Sequence, residues 1–318
     1  MIKVKNLTKI YKTPERQNNF FKDLFLRKYK EKIALNKVSF EIEEGELVGF
    51  IGPNGAGKTT TLKILSGILY PTSGEVQVFG YFPFDKKKEF LRQIAFIMGT
   101  RNQTIWELPA IDSFLLTKEI YQINNFDFKK NLSEMIDLFN ISHLINQPIK
   151  TLSLGERMKM ELINNLIHKP RLVFFDEPTI GLDIFSQEVI RDFIKKFQQK
   201  YGSTIILTSH YLEDVKKLTK RLIIINQGKI IYDGAIDKIY KIYSKEKFVT
   251  VILEKEVDMK TLKNIGEVYQ YQYPKVIFKI PKEKIAEKIN LINKLPYSDL
   301  TVEEEKIEEI IKKIISNQ

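Results

Sequence analysis

Eight consecutive residues, Gly52-Pro53-Asn54-Gly55-Ala56-Gly57-Lys58-Thr59, match the phosphate-loop pattern G-x-x-x-x-G-K-[ST] at every position. Glycines at this density let a backbone turn until several N–H groups point at one anion. A helix starting at the end of the loop offers its positive terminus to the same anion. Lys58 supplies a mobile point charge for the β- and γ-phosphates. The Thr59 hydroxyl can ligate Mg²⁺, and Thr60 beside it is a further nucleotide-binding candidate. The competing reading is a chance glycine-rich turn. The setting argues against it: the apolar run Leu47-Val48-Gly49-Phe50-Ile51 leads into the loop, and a helical pattern leaves it near Lys58.

A second chemical feature ends the run Leu172-Val173-Phe174-Phe175-Asp176-Glu177. A carboxylate at the carboxyl end of a buried parallel strand borders the ligand crevice of an open α/β sheet. Asp176 is then placed to hold Mg²⁺, directly or through water, and Glu177 to polarise an attacking water as general base. Two adjacent acids before Pro178 also fit an exposed turn, and the phosphate loop upstream decides for function.

These groups need a scaffold, and the sequence supplies one. Ile205-Ile206-Leu207 and Leu222-Ile223-Ile224-Ile225 join the two runs above as continuous apolar stretches, the pattern of strands buried on both faces. Helical patterns separate them, which predicts a largely parallel α/β sheet. Ile2 to Lys5 and Val38 to Ile42 alternate apolar with polar residues, as strands of a half-exposed antiparallel sheet do. Between them, Thr13 to Lys32 is polar and basic with interleaved aromatics, longer than a hairpin connection needs. Residues 111–167 read as helical. Past Tyr240 the texture changes, and the domain boundary is placed near Ser244. Phe248–Leu253 and Val276–Ile280 are strand candidates and Lys282–Lys294 a helix. A last helix follows Thr301, with Thr301 and Glu304 as its capping box and Ile307, Ile310, Ile311 and Ile314 as its apolar stripe.

Leu152-Ser153-Leu154-Gly155-Glu156 precedes a helical run shortly before the acidic strand. With it the ordered set resembles the ATP-binding cassette family: phosphate loop, LSGGQ-like signature, then a Walker B strand ending in Asp176-Glu177. Gly181-Leu182-Asp183 looks like the family's D-loop, Thr208-Ser209-His210 like its switch-histidine motif, and Tyr11 stands where the family stacks an aromatic on adenine. The resemblance covers roughly residues 1 to 240. It implies a P-loop NTPase core with a mixed, mostly parallel sheet, an antiparallel β subdomain and a helical subdomain at about 100–167. This nucleotide-binding domain spans 1–243, and a small α+β accessory domain occupies 244–318. It also implies ATP and Mg²⁺ as ligands and a head-to-tail dimer, each ATP lying on one subunit's phosphate loop and facing the other's signature. Ser153 and Gly155 then contact the γ-phosphate in trans, His210 contacts it in cis, and Asp183 links the two sites. Both halves of the site look competent, which favours a homodimer.

The sequence departs from the family at Leu154, usually glycine, at Glu156, usually glutamine, and in the Q-loop. After Ile94-Ala95-Phe96-Ile97-Met98 the expected glutamine slot holds Thr100, with Gln103 three residues on, so either is the candidate. The stretch from Gly99 to Pro109 is similar to bacterial exporter cassettes whose permeases are of the ABC-2 type. The basic insertion before Ala34-Leu35 and the run Thr179 to Asp183 look like the same branch. Trp106, the only tryptophan, stands where such cassettes meet a permease, or is a core residue.

Composition bounds the rest. There are no cysteines, which excludes disulfides and thiolate chemistry and fits a reducing compartment. No stretch of about 18 apolar residues occurs, so a path across a bilayer requires another polypeptide, an integral membrane permease. The formal net charge of +11 fits attraction to an anionic membrane surface, on which the basic, partly apolar stretch Arg16 to Lys32 could lie. Solvated lysines account for the same charge, and no nucleic-acid partner is expected. The expected place is the cytoplasmic face of a membrane. The alternatives are a soluble cassette ATPase of translation or DNA repair, or an importer motor. A single cassette and no sustained heptad run speak against the soluble forms.

Overall fold

A computed structural model describes residues 1–15, 28–99, 102–209 and 211–316. The chain forms two compact units, Met1–Gly234 and Ala235–Gln318.

In the first unit, six strands form one sheet in the order β5-β6-β7-β3-β8-β9. They are β3 (Leu47–Ile51), β5 (Ile94–Met98), β6 (Leu172–Asp176), β7 (Thr204–Thr208), β8 (Arg221–Asn226) and β9 (Lys229–Ala235). β5 through β8 pair in parallel. Gln227 and Gly228, both with positive φ, turn β8 directly into β9. The continuous apolar runs have a simple cause, since every residue of β6 and β7 is buried. Val173, Phe175, Ile205 and Leu207 pack into one core, and Leu172, Phe174 and Ile206 into another. Fully burying each such side chain stabilises by about 1.5–3 kcal/mol.

The first core is closed by helices α2 (Ala110–Tyr121), α3 (Asn125–Phe139), α4 (Leu154–Leu166) and α5 (Ile184–Tyr201), through residues such as Phe114, Phe139, Ile163 and Phe193. The second is closed by α1 (Lys58–Leu65) and an antiparallel sheet of order β2-β1-β4, with β1 (Ile2–Glu15), β2 (Lys28–Ile42) and β4 (Ser73–Val78). The β1–β2 ladder runs out to Glu15↔Lys28, so both strands extend well past the alternating segments seen in the sequence. Register shifts between Val4 and Ile10 move the side-chain alternation out of phase, and the period-2 signal ends where the first shift begins. Of the basic stretch Arg16 to Lys32, on which the membrane-surface expectation rests, residues 16–27 lie outside the described residues, while Lys28 to Lys32 belong to β2.

The second unit follows β-α-β-β-α-β order, the split-βαβ arrangement. β10 (Glu246–Leu253), α8 (Met259–Ile265), β11 (Glu267–Gln272), β12 (Lys275–Pro281), α9 (Ile285–Ile292) and β13 (Tyr297–Glu304) build an antiparallel sheet of order β11-β12-β10-β13. Val249, Val251, Val276 and Phe278 face Leu262, Ile265 and Ile292 of the two helices. Helix α7 (Ile236–Tyr243) precedes this motif and packs on α10 (Ile307–Ser316), which draws the division ahead of Ser244. The sequence expectation at 301–304 is corrected here. Thr301 and Glu304 do not cap a helix; they lie in β13, paired with Thr250 and Lys247. Ladder bonds to β10 outweigh the local cap, and the Glu304 carboxylate is held by Lys282 and Lys247 instead. The stripe Ile307, Ile310, Ile311 and Ile314 is buried on α10 as its spacing predicts.

Candidate functional site

β3 delivers the chain into the phosphate loop at Gly52, and α1 leaves it at Lys58. The loop folds back on itself: Lys58 Nζ donates to the Gly52 carbonyl at 2.7 Å and the Pro53 carbonyl at 3.2 Å. Burial of this ammonium lowers its pKa, and the negative charges of Glu177 and Asp176 oppose that shift. A lysine held this way is pre-positioned at an anion site rather than free in solvent.

Asp176 closes the other side. Thr59 Oγ1 donates to its Oδ2 at 2.9 Å, and Thr208 Oγ1 donates to its Oδ1 at 2.7 Å. Thr208 stands opposite Asp176 in the parallel β6–β7 register. The hydroxyl of α1 and a carboxylate of β6 thus converge as hard oxygen ligands, the donor chemistry that Mg²⁺ selects.

Glu177 follows immediately with φ 59°, a left-handed conformation costing of order 1–3 kcal/mol for a non-glycine residue. Its N–H donates to the Thr208 carbonyl at 3.0 Å. Gly99, just past β5, braces the same corner, donating its N–H to the Asp176 carbonyl at 3.0 Å. A Cβ on Gly99 would lie 2.0 Å from the Glu177 carbonyl oxygen. Gly99→Ala is therefore expected to displace Glu177 and to lower any turnover that depends on its carboxylate by about tenfold or more, because misplacement by about 1 Å can cost 10²-fold. Steady-state kinetics on folded variant protein checks this.

A cleft of about 370 Å³ opens over Lys58, Thr59 and Glu177, while Asp176, Gly52 and Pro53 do not line it. Asn54 through Thr60 form its floor, and Glu177 lies on its wall. Tyr11, Thr13, Lys32 and Ala34 line the rest. Tyr11 Oη is 3.4 Å from Thr60 Oγ1, and Lys32 stands directly opposite Tyr11 on β2. Lys32 in the cleft was not anticipated from the sequence, which grouped it with the basic insertion. The Thr208 bond to Asp176 was not anticipated either, and a strand alignment of Asp176 with Thr208 was the signal for it.

The signature and D-loop residues cluster elsewhere on the same chain. Ser153 caps α4: its Oγ accepts from Glu156 N–H at 3.3 Å and donates to Glu156 Oε2 at 2.7 Å, and Ser153 N–H donates to the same oxygen at 2.9 Å. These bonds hold the Glu156 carboxyl below its ordinary pKa. Asp183 caps α5, accepting from Ser186 N–H at 2.9 Å and Ser186 Oγ at 2.6 Å. Gly155 abuts Ser186 so closely that a Cβ would come within 2.5 Å of its Oγ. None of Ser153, Gly155 and Asp183 lines the cleft.

Gln103 is also not brought to the cleft. Its Nε2 donates to the Phe96 carbonyl and its N–H to Glu161 Oε1, both at 2.7 Å, and it borders a separate cavity of about 520 Å³. The anchor is Glu161, buried on α4, which also accepts from Thr104 N–H at 2.8 Å. Thr100 and His210 lie outside the described residues. Trp106 is 41% exposed rather than core, with the Arg157 guanidinium 4.8 Å over its ring.

Comparison with known proteins gives the following. A family profile described as ABC transporter matches residues 35–180. The ABC transporter ATP-binding protein NatA of Bacillus subtilis is 32% identical over 224 residues, 70% of this chain and 91% of that protein. The bacitracin transport ATP-binding protein BcrA of Bacillus licheniformis is 28% identical over 296 residues, 90% of this chain and 94% of that one. A solved dimer, the post-hydrolysis state of the ATP-binding cassette MJ0796 bound to ADP and Pi, superposes with a TM-score of 0.63 at 25% identity, covering 74% of this chain and 99% of that one.

Proposed function

This chain belongs to the ABC transporter family of ATP-binding proteins, and from that premise we propose that it hydrolyses ATP as the motor subunit of an ABC-2-type membrane exporter, closing head to tail with a second copy. The observation that carries the reading is a single cleft in which the phosphate loop, Lys58 and Glu177 meet, with Asp176 tied to Thr59 at its edge.

The residues divide the work. Tyr11 stacks on the adenine, and the loop N–H groups with Lys58 hold the β- and γ-phosphates. Thr59 and Asp176 hold Mg²⁺, which when bound offsets phosphate charge. Glu177 accepts the proton of the attacking water, and His210 steadies the γ-phosphate in cis. Ser153 and Gly155 meet the γ-phosphate of the partner's site, at the positive end of α4. Their place outside their own chain's cleft supports this division, as does the dimeric state of the similar cassette. The first unit, Met1–Gly234, acts as the nucleotide-binding domain and the second, Ala235–Gln318, as an accessory domain.

Export is supported by the Gly99–Pro109 stretch and by similarity to a cassette named for bacitracin transport. Among the described residues no helix is long and apolar enough to cross a membrane. The proposal assigns the path to an integral membrane permease, with this chain on its cytoplasmic face. Tagging the full chain in its own host and solubilising membranes in mild detergent tests this. Recovery with a near-equal amount of an integral membrane protein is expected. Recovery only from the soluble fraction, or with ribosomes or DNA, overturns the transporter reading.

A further inference from the structure

Asp214, on α6 (Leu212–Leu218), belongs to none of the motifs above, yet it has 0% exposure. A buried carboxylate persists only with strong partners. Its Oδ2 accepts from the hydroxyl of Thr179, in the loop that Glu177 opens, and from Ser209 Oγ at 2.6 Å, the residue before His210. Its Oδ1 accepts from Arg191 Nε at 2.6 Å. Arg191 passes the connection on, donating to Gln187 Oε1 at 2.8 Å, and Gln187 Nε2 donates to the Leu182 carbonyl at 3.0 Å, next to Asp183. All of these side chains are buried.

Burial obliges the carboxylate to find hydrogen bonds beyond Arg191, and a single neighbouring segment could supply them. Here the carboxylate also collects one hydroxyl from each of two loops, and neither hydroxyl has the other as a partner. One loop carries Glu177 and Asp183; the other carries Thr208, which accepts the Glu177 N–H at its carbonyl, and leads into His210. We propose that Asp214 is a positioning residue for ATP hydrolysis. It ties the Glu177-to-Asp183 loop to Ser209 at the end of β7, so that the general base and the D-loop hold one geometry against that strand. The proposal rests on the hydrolytic reading of the cleft.

The test compares kcat, KM for ATP, nucleotide affinity and thermal midpoint in full-length variants. Asp214→Asn leaves Arg191 buried without its counter-charge and lowers the midpoint. Asp214→Asn with Arg191→Met removes that charge and is expected to regain the midpoint. Its kcat is expected to stay at least about tenfold down while KM moves less than about twofold, the split that mispositioning produces. Thr179→Val and Ser209→Ala are each expected to lower kcat, and together to lower it no further than the stronger of the two, because both act through Asp214. This pair carries the test if the Asp214 variants fail to fold. Wild-type kcat in the stable Asp214/Arg191 variant, or full additivity of the two hydroxyl variants, overturns the proposal. Glu177→Gln is measured alongside. A Glu177→Gln variant reduced at least about 10²-fold beside a fully active Asp214/Arg191 variant sinks the positioning role alone; wild-type turnover in Glu177→Gln removes Glu177 as the base, and absence of ATP hydrolysis by the unmutated chain sinks the hydrolytic reading and the positioning role with it.

Discussion

Glu177→Gln is expected to reduce steady-state ATP hydrolysis by about 10²–10⁴-fold, the contribution of a positioned general base, while leaving ATP binding intact. The substitution is close to isosteric; it removes the ability to accept a proton together with one of the two negative charges that act on Lys58. The phosphate loop, the Lys58 bonds to Gly52 and Pro53, and the Thr59–Asp176 contact do not involve its carboxyl group. With binding preserved and hydrolysis blocked, the ATP-bound dimer should accumulate, because hydrolysis is what opens it. Size-exclusion chromatography with ATP and Mg²⁺ reads the dimer, and phosphate release reads the turnover. Normal phosphate release would remove Glu177 as the base.

Ser153→Arg separates the two halves of the site. Ser153 does not line the cleft of its own chain, so nucleotide affinity of the monomer should be unchanged. In the proposed head-to-tail dimer Ser153 meets the partner's γ-phosphate, so a long side chain at the start of α4 is expected to keep the two surfaces apart. ATP-dependent dimerisation and turnover should both be lost. The variant also loses the cap on α4, at a cost of about 0.5–2 kcal/mol, so its thermal midpoint is measured in parallel. A dimer that still forms on ATP in folded Ser153→Arg protein contradicts the sandwich arrangement.

What the sequence determined by itself follows from locality. The phosphate loop is eight contiguous residues whose geometry comes from their own glycines and the helix that follows. Burial of β6 and β7 on both faces is written in unbroken apolar runs. The stripe of α10 and the cap at Ser153 are likewise short-range patterns. The tertiary structure decided whatever depends on neighbours distant in sequence. Thr208 reaches Asp176 only through the β6–β7 register, and Lys32 reaches the cleft only because a bulged ladder carries β2 past Tyr11. Gln103 is turned to Phe96 beside buried Glu161, a partner 58 positions away. Thr301 and Glu304 satisfy a local helix-start pattern and still enter β13, since pairing with β10 satisfies the backbone along the whole segment while a cap satisfies one helix end. Asp214 shows the limit most clearly: one of two adjacent acids on a short helix carries no pattern, and its meaning comes from Thr179, Arg191 and Ser209, which only packing brings to it.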